Sequence, residues 1–167
     1  MKSINSFFPK REISPFGKGE DIFGHSQNEE SINMRHTRRN SSHRYQGLVE
    51  YISGRYDNAV EIGIGHFPDV ALELLKRGMR VFATDIKAFQ YRGLKVVIDD
   101  IIEPDFSLYA GLDLIYSLRP PSELVPFIKL ISENLSIDLI IKTLSSEHLD
   151  GQLVCHGNTS FFLWSYR

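Results

Sequence analysis

The residues best placed to do chemistry are Glu61, Gly63 and Gly65, in the stretch NAVEIGIG from Asn58 to Gly65, together with Asp85, which ends the next apolar run, VFATD. Two glycines one residue apart follow a short β-branched strand, and a helix starts after them. Glycines at such a turn leave room for a ligand beside the backbone, and the N–H groups of the new helix face it. A carboxylate about 20 residues further on can take ribose hydroxyls. The spacing is that of a nucleotide-type cofactor held at the edge of a parallel sheet.

The neighbouring residues narrow the cofactor. A dinucleotide site needs a third glycine three positions after the second, where helix and strand close over a pyrophosphate. Here that position is Pro68, and Asp69 follows, which puts negative charge where a pyrophosphate would sit. S-adenosylmethionine has no phosphate, and its ammonium and sulfonium are cationic, so Glu61 and an acidic first helical turn suit it better. No GxxxxGK[ST] segment occurs, so a P-loop is absent. Asp99 and Asp100 end the following strand, where one of them could accept from an adenine amino group. Each feature has a plainer reading: a GxG alone is weak, Asp85 could cap a turn, and Asp99-Asp100 could be a solvated turn. Their placement at the ends of three successive strands favours an adenosyl ligand.

Catalytic candidates are fewer. Arg119, in Ser117-Leu118-Arg119-Pro120-Pro121, could fork a carboxylate or phosphate; otherwise it is a surface arginine before a helix start. His66, just past the glycines, could act as a base, although a lone loop histidine usually does not. Tyr116 is expected in the core. Lys142 ends a strand at the ligand edge and could meet an anion. His148, Cys155 and His156 lack metal-ligand spacing, so no metal is expected. No Gx[SC]xG elbow marks an acyl-transfer nucleophile.

The elements that must hold these residues can be read from periodicity. Strands are expected at 58–64, 80–84, 95–98, 113–117 and 137–141, apolar almost throughout, as strands covered on both faces must be. Tyr45, Leu48, Val49 and Ile52 recur at helical spacing, with Ser41 or Ser42 as N-cap and Gly54 as stop. Pro68 starts a second helix that Gly78 closes, and Ser122 caps a third carrying Leu124, Phe127, Ile128, Ile131 and Leu135. Residues 152–156 and 160–166 flank Gly157-Asn158-Thr159 and predict a β-hairpin. The link Thr143 to Gly151 is too short for a full crossover helix. The fold class is therefore α/β: a doubly wound, Rossmann-like, mostly parallel sheet with helices on both faces and a C-terminal β-hairpin.

Residues 1–43 show no sustained period and are expected to form a disordered, polar and basic N-terminal tail ahead of a domain spanning 44–167. Met34, within it, could serve as an alternative translation start. Arg35, Arg38, Arg39 and Arg44 with His36 and His43 could touch RNA, but without interleaved aromatics a solvated leader is the simpler reading. The 167 residues are 42% hydrophobic and 24% charged, with formal net charge −2, so a core is expected and bulk charge gives no reason for nucleic acid. One cysteine, no apolar run of membrane length and a polar start predict a cytoplasmic protein with no membrane association. A small-molecule ligand is the expected partner, and the oligomeric state is open.

From Tyr45 to Tyr166 the chain resembles the class I S-adenosylmethionine-dependent methyltransferase fold, whose E/DxGxGxG signature aligns with Glu61 to Phe67, Phe67 standing at the third glycine. More closely, VEIGIGHFPDVALELLKRG, ATDI, VIDDIIEP and DLIYSLRPP resemble the recurring blocks of uncharacterised protein family 0146 of methanogenic and related archaea. The resemblance implies a methyltransferase-type fold and brings no established activity. Amino-directed methyltransferases of this fold often carry Asn/Asp-Pro-Pro-aromatic after strand four. Here Arg119 and Ser122 take the polar and aromatic positions, and arginine has no acceptor with which to orient an amine. The expectation is a small S-adenosylmethionine-binding protein, either a methyltransferase of a small or anionic substrate or a binding module that has lost transfer.

Overall fold

Seven strands form one sheet whose order reverses beside its central strand. A computed structural model describes residues 43–144 and 148–166. Helix α1 (Gln46–Ser53) precedes β1 (Asn58–Ile62), and α2 (Asp69–Lys76) leads to β2 (Arg80–Asp85). Then come β3 (Val96–Ile98), β4 (Leu114–Leu118), α3 (Val125–Leu135), β5 (Asp138–Lys142), β6 (Gln152–His156) and β7 (Thr159–Trp164). The strand order is β3-β2-β1-β4-β5-β7-β6. The first five strands are parallel, β7 runs antiparallel to β5, and β6 and β7 form the expected hairpin. Chain order switches on either side of β1, which opens a crevice at the carboxyl ends of β1 and β4, where open α/β sheets take ligands.

Alternation along the strands divides the core. Ala59, Ala83, Leu114, Tyr116 and Ile140 face α1 and α2, packing on Leu48, Ile52 and Leu74. Val60, Ile62, Ile115, Leu139 and Ile141 face the other way, onto Val125, Ile128 and Ile131 of α3. Helices thus cover both faces, and each large side chain buried there contributes roughly 1.5–3 kcal/mol.

Several boundaries differ from the sequence expectation. Ser122 does not cap the third helix: it opens a short 3-10 turn, and α3 starts at Val125, where Pro126 presets the first turn. Pro68 sits one position before α2 rather than inside it. The crossovers from β2 to β3 and from β3 to β4 contain no α-helix among the described residues, only a 3-10 turn at Phe106–Leu108. Turn-forming residues such as Gly93, Asp100, Pro104 and Asp105 fill those links. Tyr166 leaves the ladder, and its amide goes to Asp138 Oδ1 at 2.9 Å. The proposed caps Ser41 and Ser42 and the basic residues Arg35, His36, Arg38 and Arg39 lie outside the described residues.

Candidate functional site

The glycine turn is built by its neighbours. Ser117 Oγ donates to the Ile62 carbonyl at 2.8 Å, fixing the last residue of β1 against β4. The amides of Gly63 and Ile64 both donate to the Thr84 carbonyl, at 2.9 and 3.2 Å. Gly63 and Gly65 have φ of 73° and 49°, a left-handed geometry that costs an L side chain about 1 kcal/mol or more. A Cβ added at Gly63 would meet nothing within 4 Å. The space beside the turn is open, as a close-lying ligand requires.

Four amides of the turn itself are engaged within the protein. Besides the two on Thr84, the Gly65 amide donates to Asp85 Oδ2 at 3.0 Å, and the Phe67 amide donates to the Ile64 carbonyl. Asp85 Oδ1 accepts from the Lys87 amide at 3.0 Å. Asp85 therefore ties the turn to the end of β2. A carboxylate has four lone-pair positions, so two remain for a pair of hydroxyls.

The carboxylates after β3 part company. Asp99 is 9% exposed and turns inward, accepting from the Tyr109 hydroxyl and from the Asp105 amide. It organises the loop rather than facing the crevice. Asp100 is exposed, with one oxygen accepting from the Ile102 amide. Of the two, Asp100 keeps an oxygen for a ligand.

Glu61 is 1% exposed. Register places it opposite Tyr116, so the two side chains share one face of the sheet. Burial raises its carboxyl to about 8, and the nearby Tyr116 hydroxyl and Ala71 amide oppose that only in part. Asp69 pushes it further the same way. Neither Glu61 Oε2 nor the Tyr116 hydroxyl closes a hydrogen bond. Among the described residues no cation pairs with Glu61.

Three aromatic rings wrap the turn. The Tyr91 hydroxyl donates to the Gly65 carbonyl. Phe89 stacks on Tyr91 and receives the edge of His66 at 5.1 Å. Burial, then Asp85 and Glu61, raise the Tyr91 hydroxyl above its usual range. His66 thus packs against a ring, and it lines an open cleft of about 630 Å³ with Asp69, Tyr91 and Arg92. Sequence reasoning missed Phe89 and Tyr91; the only signal was two aromatics soon after Asp85.

Arg119 lies across the crevice. Its guanidinium sits 4.9 Å from the centre of the Phe67 ring, and that ring is 58% exposed. Its φ is 53°, and its amide donates to the Lys142 carbonyl at 2.7 Å. Lys142 is half-buried, and its ammonium reaches the Thr143 carbonyl at 3.2 Å. Burial and then Arg44 hold its ammonium below the usual lysine range. Arg44 is not part of a detached leader: it is helical, just ahead of α1, with its guanidinium 5.9 Å from the Tyr45 ring centre. Asn158 brings it there, accepting from the Gly47 amide at 3.0 Å and donating to the His43 carbonyl at 2.6 Å. Gly47 is required for this contact, since a Cβ would stand 2.0 Å from the His156 carbonyl oxygen.

The structure therefore brings Gly63, Gly65, Asp85 and Arg119 to one edge, with Glu61 buried beneath them and Asp99 withdrawn. Among the described residues no group of three or more His, Cys, Asp or Glu could hold a metal ion, and no helix is long and apolar enough to cross a membrane.

Comparison with known proteins agrees with this architecture. A solved S-adenosylmethionine-dependent methyltransferase from Archaeoglobus fulgidus superposes with TM-score 0.52 at 19% identity, over 73% of this chain and 60% of that one. The shared part is thus less than two thirds of that structure, and the likeness is one of fold. Among curated proteins, a UPF0146 protein of Archaeoglobus fulgidus is 37% identical over 70% of this chain and 91% of its own. One from Methanothermobacter thermautotrophicus is 35% identical over 71% of this chain and 92% of its own. The profile of the uncharacterised protein family UPF0146 matches residues 47–165. By the length of that match and the identity of these relatives, this chain belongs to the UPF0146 family.

Proposed function

We propose that this protein binds S-adenosylmethionine at the Gly63–Gly65 turn and serves as a methyltransferase for a small or anionic substrate. The observation that carries the reading is the pairing of an open, left-handed glycine turn with a buried, uncompensated Glu61 beneath it. A ligand with a cationic head would favour the ionised carboxylate that burial now disfavours at Glu61. Asp85 keeps lone pairs for ribose hydroxyls and Asp100 an oxygen for an amino group. The cofactor would bring a methyl group on a sulfonium, which needs alignment more than acid–base help. The protein's part would be to hold the acceptor in line and keep it there. Arg119, with donors only, would orient an anionic group. The single cysteine supports a reducing, cytoplasmic setting.

Calorimetry with S-adenosylhomocysteine tests binding. One-to-one binding is expected, weakened at least about tenfold by Gly65→Val, whose side chain is strained at this φ. No heat at millimolar ligand would overturn the reading. A non-catalytic binding module is the second reading, favoured by the packing of His66 against Phe89 and by the absence of an acceptor on Arg119. Binding without transfer of labelled methyl groups to a cell extract would support that second reading.

A further inference from the structure

A buried carboxyl stays ionised only where donors or a cation hold its charge. Two buried acids of this domain have such donors. Asp138, 6% exposed, accepts from the Tyr56 and Ser165 hydroxyls and the Tyr166 amide. Asp99, 9% exposed, accepts from the Tyr109 hydroxyl and the Asp105 amide. Glu61, 1% exposed, is held differently. One of its oxygens has no partner, and among the described residues no cation pairs with it. Register sets it between Ala83 of β2 and Tyr116 of β4, and the Tyr116 hydroxyl, fully buried, is also without a partner. The other ionisable groups that bear on Glu61 are Asp69, at the start of α2, and Tyr91, in the link after β2. His66 lines one cleft with Asp69 and Tyr91, and α1 turns Leu48 and Ile52 to this side of the core. Such surroundings favour the neutral acid, and burial accordingly keeps the carboxyl protonated up to about pH 8. Two residues further on the space is open: a Cβ at Gly63 would meet nothing within 4 Å. A neutral acid without a full set of partners thus lies beside the turn that would take a cationic ligand.

We propose that Glu61 couples ligand binding at this turn to the release of one proton: an ammonium group held over Gly63–Gly65 drives the Glu61 proton into solvent and is held by the carboxylate that remains. The coupling rests on the cofactor reading above and makes that site sensitive to pH. In the exchange the Glu61 O–H bond breaks, the proton passes to the buffer, and the ligand's ammonium keeps its own hydrogens. Tyr116, across the ladder, is placed to donate to the carboxylate once it forms, and a bond to an ionised acceptor is the stronger kind. Below about pH 8 every ligand bound must displace a proton, so affinity rises with pH, by at most about tenfold per unit.

The test is calorimetry of the full chain with S-adenosylhomocysteine at about pH 7, in two buffers of different ionisation enthalpy. The difference between the two heats counts protons, and release of about one per ligand bound is expected. Between about pH 5.5 and 7.5 the association constant should rise several-fold per pH unit. Glu61→Gln copies the neutral carboxyl in shape, so it should fold as the wild type does, bind more weakly at pH 7.5, release no proton and show no pH dependence in that range. Equal heats in the two buffers for the wild type overturn the proposal and leave the cofactor reading standing. Release that persists in Glu61→Gln comes from another group, such as His66, and overturns the proposal as well. No heat in either buffer at millimolar ligand removes the cofactor reading, and the proposal with it.

Discussion

The two edges of the sheet use the same residue types to opposite ends. At the amino edge, Asp138 is 6% exposed and fully engaged: it accepts from the Tyr56 hydroxyl at 3.0 Å, the Ser165 hydroxyl at 3.2 Å and the Tyr166 amide. Asp113 there accepts from the amides of Asp57 and Asn58, both at 3.1 Å. These acids staple strand starts together. At the carboxyl edge, the buried Glu61 has an oxygen with no partner and no ion pair among the described residues. Asn58 Oδ1 at the amino edge also lacks a partner, so what sets Glu61 apart is that it is a buried carboxyl beside the open glycine turn. Not every acid at that edge is available: Asp99 is turned inward to hold a loop, and Asp85 divides itself between the turn and what lies beyond it.

The largest expected effect distinguishes Glu61 from the stapling acids by its pH dependence. Its carboxyl is raised from its ordinary 4.5 to about 8, so the folded protein holds the proton more tightly than the unfolded chain. That contribution is fully present below about pH 4.5 and is lost as pH rises through about 8, at about 1.4 kcal/mol per pH unit. Urea denaturation of the wild type should lose about 2–3 kcal/mol between pH 5.5 and 7.5 relative to Glu61→Gln. Parallel profiles for the two proteins would place Glu61 with the satisfied acids and break the comparison.

Next in size is Asp138→Ala, which removes the acceptor that Tyr56, Ser165 and the Tyr166 amide share. It should cost about 2 kcal/mol in urea denaturation. S-adenosylhomocysteine affinity in the folded variant should be unchanged, because the amino edge has no part in binding; a tenfold loss would contradict the division between edges.

The smallest effect sharpens the carboxyl edge itself. Phe67 comes from the β1 turn and meets Arg119 from the loop after β4, so it joins the two halves of the crevice. Phe67→Ala should change stability by about 1 kcal/mol or less, since the ring is largely exposed. S-adenosylhomocysteine affinity should fall about two- to threefold as the ring's contact across the crevice is lost. An unchanged affinity would mean that the ring only shields the arginine.

Much of the fold was legible because burial on both faces forces near-continuous apolar strands, and NAVEI, RVFATD, LIYSL and DLIIK carry that signal directly. The hairpin was legible from a glycine-asparagine turn between two apolar runs. The start of α3 was not, because Ser122 and Pro126 are both plausible helix openers and only packing on Ile115 and Leu139 selects Val125. The glycine turn and Asp85 were legible as a site, but their hydrogen bonds to each other were not, since a spacing of about 20 residues says nothing about which lone pairs remain.

What the sequence determined alone is the order of the strands along the chain, the left-handed turn that only Gly63 and Gly65 accept readily, and the donors-only chemistry of Arg119. These follow from local sterics and from the side chains themselves. What only the tertiary structure decided is which charges lack partners. Asp99 and Asp138 would look as available as Glu61 in any reading of residue types, and Arg44 looked like part of a leader. Satisfaction of a polar group depends on groups tens of residues away, such as Asn158 for the start of α1, and those distances exist only once the sheet has closed.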